Sequence, residues 1–298
     1  MENKIKRDSA LINLVSEFEC KFEQGEVGYV DEKVFLQLLE YYEDEYLFDK
    51  ALEVVDYAIA QYKYRSEFYI IKARLLLSKT KVKDCLALLE IAENIAPFER
   101  EISIIRARAH AINKDFTAAH SILDDLKLGA TKSDSVDILI AESFIYEHMK
   151  DYNAMYDALS NAVLIDTKNE EAMERIWISA ELSRRYEDSV QLHLTIIDKD
   201  PYNYQAWYNL GHGYNCIWEY EKAIDALEYS FIINPEFESG YLDCADTCLQ
   251  IRNYEKALEI YIEANNKFGP NNELMVNIAH CYIYLNRIGI AKQWLLKA

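Results

Sequence analysis

The chain repeats itself with a period of 34 residues from about Glu32 to its last residue. A small residue, Ala, Ser or Cys, stands at the twentieth place of every repeat except one. This column reads Ala51, Cys85, Ala119, Met155, Ser189, Ala223, Ala257 and Ala291, with a single two-residue insertion after Ala119. A fixed period of this length predicts a helical solenoid, in which each repeat buries its core against its neighbours.

Two further columns run in register with the first. The eighth place reads Leu39, Ala73, Ala107, Ser143, Trp177, Gly211, Ala245 and Ala279. The place nine residues later reads Phe48, Val82, Phe116, Tyr152, Tyr186, Tyr220, Tyr254 and Ile288. Small side chains therefore face large ones where two helices cross. The low counts of Gly (8) and Pro (4) favour the same all-helical structure, because helix interiors exclude both residues.

The repeat that starts at Tyr204 shows the pattern most completely. It places Trp207, Leu210, Gly211 and Tyr214 on a first helix, then Tyr220, Ala223, Leu227 and Ser230 on a second, and closes with Pro235. This sequence resembles the tetratricopeptide repeat (TPR) family. The resemblance implies an all-α fold, a right-handed superhelical solenoid of about eight helix-turn-helix repeats. We predict an array over residues 32–298 with repeats starting at 32, 66, 100, 136, 170, 204, 238 and 272, the last incomplete.

The two ends lie outside this regular pattern. In residues 1–31 the apolar positions Leu11, Leu14, Val15, Phe18 and Phe22 have helical spacing. They predict an N-terminal capping helix and turn that cover the first repeat. At the other end the sequence stops at Ala298 without a polar capping helix, which leaves Trp294 at an edge. We expect either a longer native protein or a partner at this edge, which includes a homodimer.

The charge and hydropathy of the chain limit its partners. Its 51 acidic and 32 basic residues give a net charge of −19, which disfavours nucleic acid as a partner. No apolar stretch has the length of a membrane span, and the first residues do not form a signal-peptide core. We therefore expect a cytoplasmic protein that contacts neither nucleic acid nor membrane. A DNA-binding regulator is also disfavoured, because residues 1–31 are too short for a helix-turn-helix domain.

The family resemblance implies that the first helices line a concave groove. Their ninth places read Glu40, Arg74, Arg108, Phe144, Ile178, His212, Asp246 and His280. Two interpretations of the consecutive arginines stay open. Arg74 and Arg108 either anchor an acidic side chain or a peptide C-terminus, or they pair with the chain's own carboxylates, such as Glu40.

Apolar side chains occupy much of the remaining groove. Phe144, Ile178 and Leu182 are the best candidates for contact with a partner, because their columns point outward. The full predicted binding set is Arg74, Arg108, Phe144, Ile178, Leu182, Tyr208 and His212. The expected partner is a peptide or helix that carries apolar and acidic residues. The Lys and Asn pair that some family members use to bind chaperone tails is absent.

No catalytic motif stands out in the sequence. There is no nucleophile elbow, phosphate loop or HExxH pattern. His212, Asp246 and His280 share a column and Cys216 is near, but two repeats separate the histidines, so polar groove residues are preferred over a metal site. We predict no cofactor, no metal and no enzyme, but a non-catalytic protein–protein interaction scaffold. The alternative is a regulatory or substrate-presenting arm of a larger enzyme, truncated after residue 298.

Overall fold

The computed structural model describes residues 2–25 and 27–298, which form seventeen α-helices and no strand. The helices are α1 (Glu2–Glu23), α2 (Glu32–Asp44), α3 (Phe48–Gln61), α4 (Ser66–Ser78), α5 (Val82–Ile95), α6 (Arg100–Ile112), α7 (Phe116–Lys127), α8 (Lys132–Met149), α9 (Tyr152–Ile165), α10 (Glu170–Ser183), α11 (Tyr186–Lys199), α12 (Tyr204–Cys216), α13 (Tyr220–Ile233), α14 (Glu238–Gln250), α15 (Tyr254–Phe268), α16 (Asn272–Tyr284) and α17 (Ile288–Leu295). From α2 onward they alternate as the first and second helices of helix-turn-helix repeats. These are the helix pairs that the sequence predicts. No helix in these residues is long and apolar enough to cross a bilayer.

The turn inside each repeat has the same backbone geometry along the chain. One residue of each turn, never glycine, adopts a left-handed φ between 57° and 63°. These residues are Tyr46, Thr80, Lys114, Lys150, Arg184, Trp218, Arg252 and Asn286. The next N–H then turns back to the end of the first helix, as in the 2.9 Å bond from Lys81 N to Leu76 O. Such bonds satisfy carbonyls that the helix end would leave free.

The columns of small residues lie at the helix crossings. All eight side chains of the twentieth-place column are buried. Seven of the eight at the eighth place are buried as well, and Trp177 is the half-buried exception. At Gly211 an added Cβ would lie 2.5 Å from the Cγ atom of Leu227, so α12 and α13 approach each other too closely for a larger residue.

The chain divides into two compact bodies, Met1–Gly129 and Ala130–Ala298, which we call the N-terminal and C-terminal bodies. In the N-terminal body, α1 packs on the first repeat. Val15 and Phe18 are buried, and the Phe18 ring meets Phe35 edge to face with centroids 6.3 Å apart. The Tyr42 hydroxyl donates a 3.1 Å hydrogen bond to Glu19, which joins α2 to α1.

The C-terminal body begins with the longest of its helices, α8, which has 18 residues. It starts at Lys132, whereas the sequence predicts that the fourth repeat starts at residue 136. A capping box explains the early start. The Thr131 hydroxyl accepts from Asp134 N at 3.3 Å, and the Asp134 carboxylate accepts from Thr131 N at 2.8 Å, so two N–H groups of the helix start are satisfied together.

The C-terminal body ends on an apolar edge. Helix α17 has eight residues, and only Ala291 among them is buried. The exposed apolar side chains of this edge are Ile283, Tyr284, Ile288, Ile290, Leu295 and Leu296. We call this group the C-terminal edge.

One histidine lies in the core of the C-terminal body. His193 on α11 is completely buried, and its Nδ1 lies 2.8 Å from the Ser189 carbonyl oxygen, which accepts a hydrogen bond. Its Nε2 has no hydrogen-bond partner among the residues that the structure describes. Burial lowers the pKa of His193 from 6.5 to about 4, because a charged imidazole would lose its hydration there.

This burial predicts a pH dependence of stability. The unfolded chain takes up the His193 proton as the pH falls below 6.5, whereas the folded chain takes it up only near pH 4. Stability is therefore full above pH 6.5 and declines towards pH 4. Between pH 7.5 and pH 5 the expected loss in the free energy of unfolding is about 2 kcal/mol, measured by urea titration.

His193→Leu should remove this part of the pH dependence. Ser189→Ala is the matched control, because it keeps the histidine and the carbonyl acceptor and removes only the Ser189 hydroxyl, 3.4 Å from Nδ1. The same pH slope in His193→Leu and in the unaltered chain would contradict the prediction.

Candidate functional site

The exposed positions of the first helices carry the predicted binding residues. In the N-terminal body these helices are α2, α4 and α6, and α4 packs beside α6. In the C-terminal body they are α8, α10, α12, α14 and α16, and α10 packs beside α12. We call the exposed side of the latter set the C-terminal groove face.

In the N-terminal body the chain's own carboxylates surround Arg74. Its Nη2 and Nε donate to the two oxygens of Glu43 at 3.0 and 3.2 Å. Its Nη1 donates to Glu101 at 3.1 Å. Burial raises the pKa of Glu101, against the attraction of Arg74 and Arg108. Arg74 thus forms intramolecular ion pairs, with Glu43 and Glu101 as partners in place of Glu40.

Two other basic residues of these helices, Lys72 on α4 and Arg106 on α6, also form ion pairs. Lys72 donates to Asp56 on α3. Arg106 forms a two-pronged contact with Glu93 on α5, at 2.7 and 3.3 Å. These pairs connect first helices to second helices, so they neutralise much of the basic character of this region.

In the C-terminal body three apolar candidates lie on α8 and α10. Ile178 and Leu182 are 39% and 44% exposed and lie one helical turn apart on α10. Phe144 is half-buried, and its ring lies 4.3 Å from the His148 ring. The Arg175 guanidinium lies 5.9 Å from the Phe144 ring and pairs with Glu147 at 2.8 Å.

Tyr208 and His212 meet at one carboxylate. The Tyr208 hydroxyl donates to Asp243 Oδ2 at 2.5 Å, and His212 Nε2 lies 3.2 Å from the same oxygen. Burial opposes ionisation of Asp243, but the hydrogen bonds from His212 and Tyr208 outweigh it and hold the pKa of Asp243 below its usual value. Burial and the neighbouring carboxylate raise the pKa of Tyr208. The carboxylate is therefore charged and orients both side chains.

Aromatic rings surround His212. The Trp177 ring stacks on it with centroids 4.9 Å apart and an interplanar angle of 16°. The Tyr208 ring meets it edge to face at 4.5 Å, and the Phe237 ring meets Tyr208 in the same way at 4.8 Å. Tyr208 and His212 are among the binding residues predicted from the sequence, whereas Trp177 and Asp243, which contact His212, are not. The signal for Trp177 was its bulk in a column of small residues.

A pocket of about 240 Å³ lies beside this aromatic group. It is formed by α10, α11, α12 and α14, and its lining includes Trp177, Glu181, Tyr186, His212, Asn215 and Gln250. Apart from His212, none of these residues belongs to the binding set predicted from the sequence.

The residues considered for a metal site do not gather around one point. Asp246 accepts a hydrogen bond from the Tyr261 hydroxyl, and His212 pairs with Asp243. In the part of the chain that the structure describes, no group of three or more His, Cys, Asp or Glu side chains could hold a metal ion.

No protein-family model matches the chain, and no curated protein matches it. Among solved structures, the MamA protein is similar at 18% identity and a TM-score of 0.46, over 55% of this chain and 90% of MamA. A TPR protein from Parabacteroides merdae is similar at 13% identity and a TM-score of 0.45, over 87% of this chain and 98% of the other. YrrB, a TPR protein with an unusual peptide-binding site, is similar at 18% identity and a TM-score of 0.36, over 63% and 96%. These similarities concern the fold alone. The fold is assigned from the consecutive helix pairs of the chain itself.

Proposed function

We propose that this chain, a TPR protein by its fold, is a non-catalytic scaffold that holds a peptide or helix of a partner protein on its C-terminal groove face. The observation that carries the proposal is the exposure of Ile178 and Leu182 side by side on α10. Neighbouring apolar side chains of this kind favour contact with another molecule over contact with water. The partner therefore carries apolar side chains at helical or extended spacing.

The rest of the predicted set supports this surface. Phe144 lies on α8 and Tyr208 and His212 lie on α12, the first helices on either side of α10 in the chain. Because Asp243 holds Tyr208 and His212 by hydrogen bonds, these two side chains have little rotational freedom to lose when a partner binds. Preorganised polar and aromatic groups beside an apolar pair suit recognition of a short segment.

A peptide selection tests this proposal. From random peptides displayed on phage, the unaltered chain should enrich a set of binders. The Leu182→Asp variant should not bind this set, because the introduced charge would be desolvated against the apolar ligand. Leu164→Asp on the second helix α9 is the matched control, since Leu164 is 43% exposed and Leu182 is 44% exposed. Absence of enrichment, or equal loss in both variants, would contradict the proposal.

For the N-terminal body we propose that Arg74 and Arg108 contact acidic side chains of a peptide bound to that body. Arg74 would exchange one of its two carboxylate partners for a carboxylate of the ligand. Glu101 is the partner more easily displaced, because it accepts one hydrogen bond from Arg74 whereas Glu43 accepts two. Guanidinium groups suit such an exchange, since they bind carboxylates through several N–H groups.

Acid-containing peptides report on this contact. The double variant Arg74→Gln/Arg108→Gln should bind these peptides with an affinity lower by about tenfold or more, as measured by fluorescence anisotropy. This loss is the equivalent of one charge-assisted contact. Lys83→Gln is the control, because Lys83 is exposed on α5 of the same body. The melting temperature is measured alongside, since loss of the Glu43 pair alone should cost less than about 1 kcal/mol. Unchanged affinity for acidic peptides would refute the contact.

We also propose that two copies of the chain pair through the C-terminal edge, whose exposed apolar side chains would be buried in a symmetric contact. Light scattering should give a mass near twice 34.8 kDa at high concentration. Leu296→Glu should return the mass to that of one chain, because it places like charges at the contact. Leu128→Glu is the matched control, since Leu128 is 81% exposed and Leu296 is 77% exposed. A monomer of the unaltered chain at high concentration would exclude the pairing.

A further inference from the structure

The pocket beside His212 has the chemistry of a receptor for a cation. It lies between helices of one compact body, and its walls combine aromatic rings with hydrogen-bond acceptors. The inference below rests on the proposed function, because it names a side chain that the bound peptide presents to this face. Four observations support it.

The first observation is an unpaired acceptor. Asn215 Nδ2 donates to Thr247 Oγ1 at 2.9 Å, and that hydroxyl in turn donates to the Asp243 carbonyl oxygen at 2.7 Å. This chain of bonds sets the orientation of the amide and turns Oδ1 away from Thr247. Asn215 Oδ1 is buried and has no partner among the described residues. An N–H group of a ligand that reaches this oxygen would satisfy it.

The second observation is a carboxylate at the same pocket. Glu181 is exposed and forms no ion pair with any residue that the structure describes. After burial, its charge is the other cause that raises the pKa of the neighbouring Cys216 thiol. Glu181 thus projects a negative potential onto the pocket and is available to a positively charged ligand.

The third observation is the aromatic lining. Trp177 is half-buried, and His212 covers one side of its ring system. Tyr186 lines the pocket from the start of α11. Aromatic rings attract a cation through their negative faces, and Trp is the strongest of them. The rings would also contact the methylene groups of a long cationic side chain.

The fourth observation is the charge of the surrounding helices. Of the helices that form the pocket, α12 and α14 contain neither Lys nor Arg, α10 contains Arg175 and α11 contains Lys199, while Arg184 and Arg185 lie in the turn between α10 and α11. The same helices contain ten acidic residues: Glu170, Glu171, Glu174, Glu181, Glu187, Asp188, Asp198, Glu238, Asp243 and Asp246. Burial and the charges of Asp243 and Glu273 together raise the pKa of Asp246, so these carboxylates act on one another. This field attracts cations and repels carboxylates.

We propose that the pocket of Trp177, Glu181, Tyr186 and Asn215 receives a lysine or arginine side chain of the bound peptide. The cation donates to Asn215 Oδ1 and pairs with Glu181, and its stem lies along the aromatic rings. The partner of the C-terminal groove face is therefore a segment in which a basic residue accompanies the apolar ones.

The test uses the full chain and three small probes: the Nα-acetyl methylamides of lysine, arginine and norleucine. Binding is followed by the ¹⁵N-indole signal of Trp177, which the variant Trp177→Ala identifies. That variant should fold, because Ala stands at the eighth place in four other repeats: Ala73, Ala107, Ala245 and Ala279. The lysine or arginine probe should shift the signal, and the stronger of the two identifies the preferred cation. Norleucine, of similar length but uncharged, should bind about tenfold more weakly or not at all.

Two variants separate the pocket from the overall charge. Glu181→Gln should lower the affinity for the cationic probe about tenfold, the equivalent of 1.4 kcal/mol. Glu221→Gln, the same change at an exposed site on α13, should leave the affinity within about twofold, since distant surface charges are screened. Equal binding of norleucine, absence of any shift with both cationic probes, or equal affinities in the two variants would overturn the proposal.

The outcome is independent of the peptide selection. A shift of Trp177 by the cationic probe, with no peptide enriched, would support the pocket and reject the proposed function. Peptides that depend on Leu182 but bind equally well to Glu181→Gln would support the function and reject the pocket.

Discussion

The close crossing of the two helices in each repeat is the constraint on which the rest of the fold depends. At the crossing of α12 and α13 there is no space for even a Cβ on Gly211, because it would lie 2.5 Å from Leu227 Cγ. Small side chains recur at this eighth place in six of the eight repeats, and all six residues are buried, so the close crossing is maintained there. The 34-residue period follows from this contact, since each new repeat must return a small residue to the same place.

Trp177 departs from this rule, and the departure creates the pocket. Its indole occupies the eighth place, where the other repeats bury a small residue or, once, Leu39. The ring remains half-buried and stacks on His212 of the next first helix. Asp243 in turn holds His212 from the following first helix. Three successive repeats thus contribute to one site because a residue too large for the crossing extends towards its neighbours.

The sequence predicted the helices, the crossings and the class of fold because each of these depends on contacts that recur at a fixed spacing. It did not predict the start of α8, which a local capping box of Thr131 and Asp134 moves forward. Nor did it predict the partners of Arg74, because a long side chain selects among several carboxylates by its rotamer, and Glu43 lies one turn beyond Glu40. Asp243 escaped notice for a geometric reason. It follows His212 by 31 residues, and a column counted at 34 residues omits such diagonal neighbours.

The first helices of the two bodies differ in how their charges are satisfied, and this difference determines which ligand each attracts. Arg74 and Arg106 are paired with Glu43, Glu101 and Glu93, so an acidic ligand must compete with carboxylates already in contact. On α10, α12, α14 and α16 of the C-terminal body, acidic residues outnumber the single arginine, and Glu181 forms no ion pair with a described residue. With a net charge of −19, the chain attracts a basic segment before contact and repels an acidic one. Salt weakens that attraction but leaves the apolar contact at Leu182 intact. In the proposed binding, a basic ligand would therefore be steered by charge and retained by apolar contact, whereas an acidic ligand would depend on short-range exchange alone.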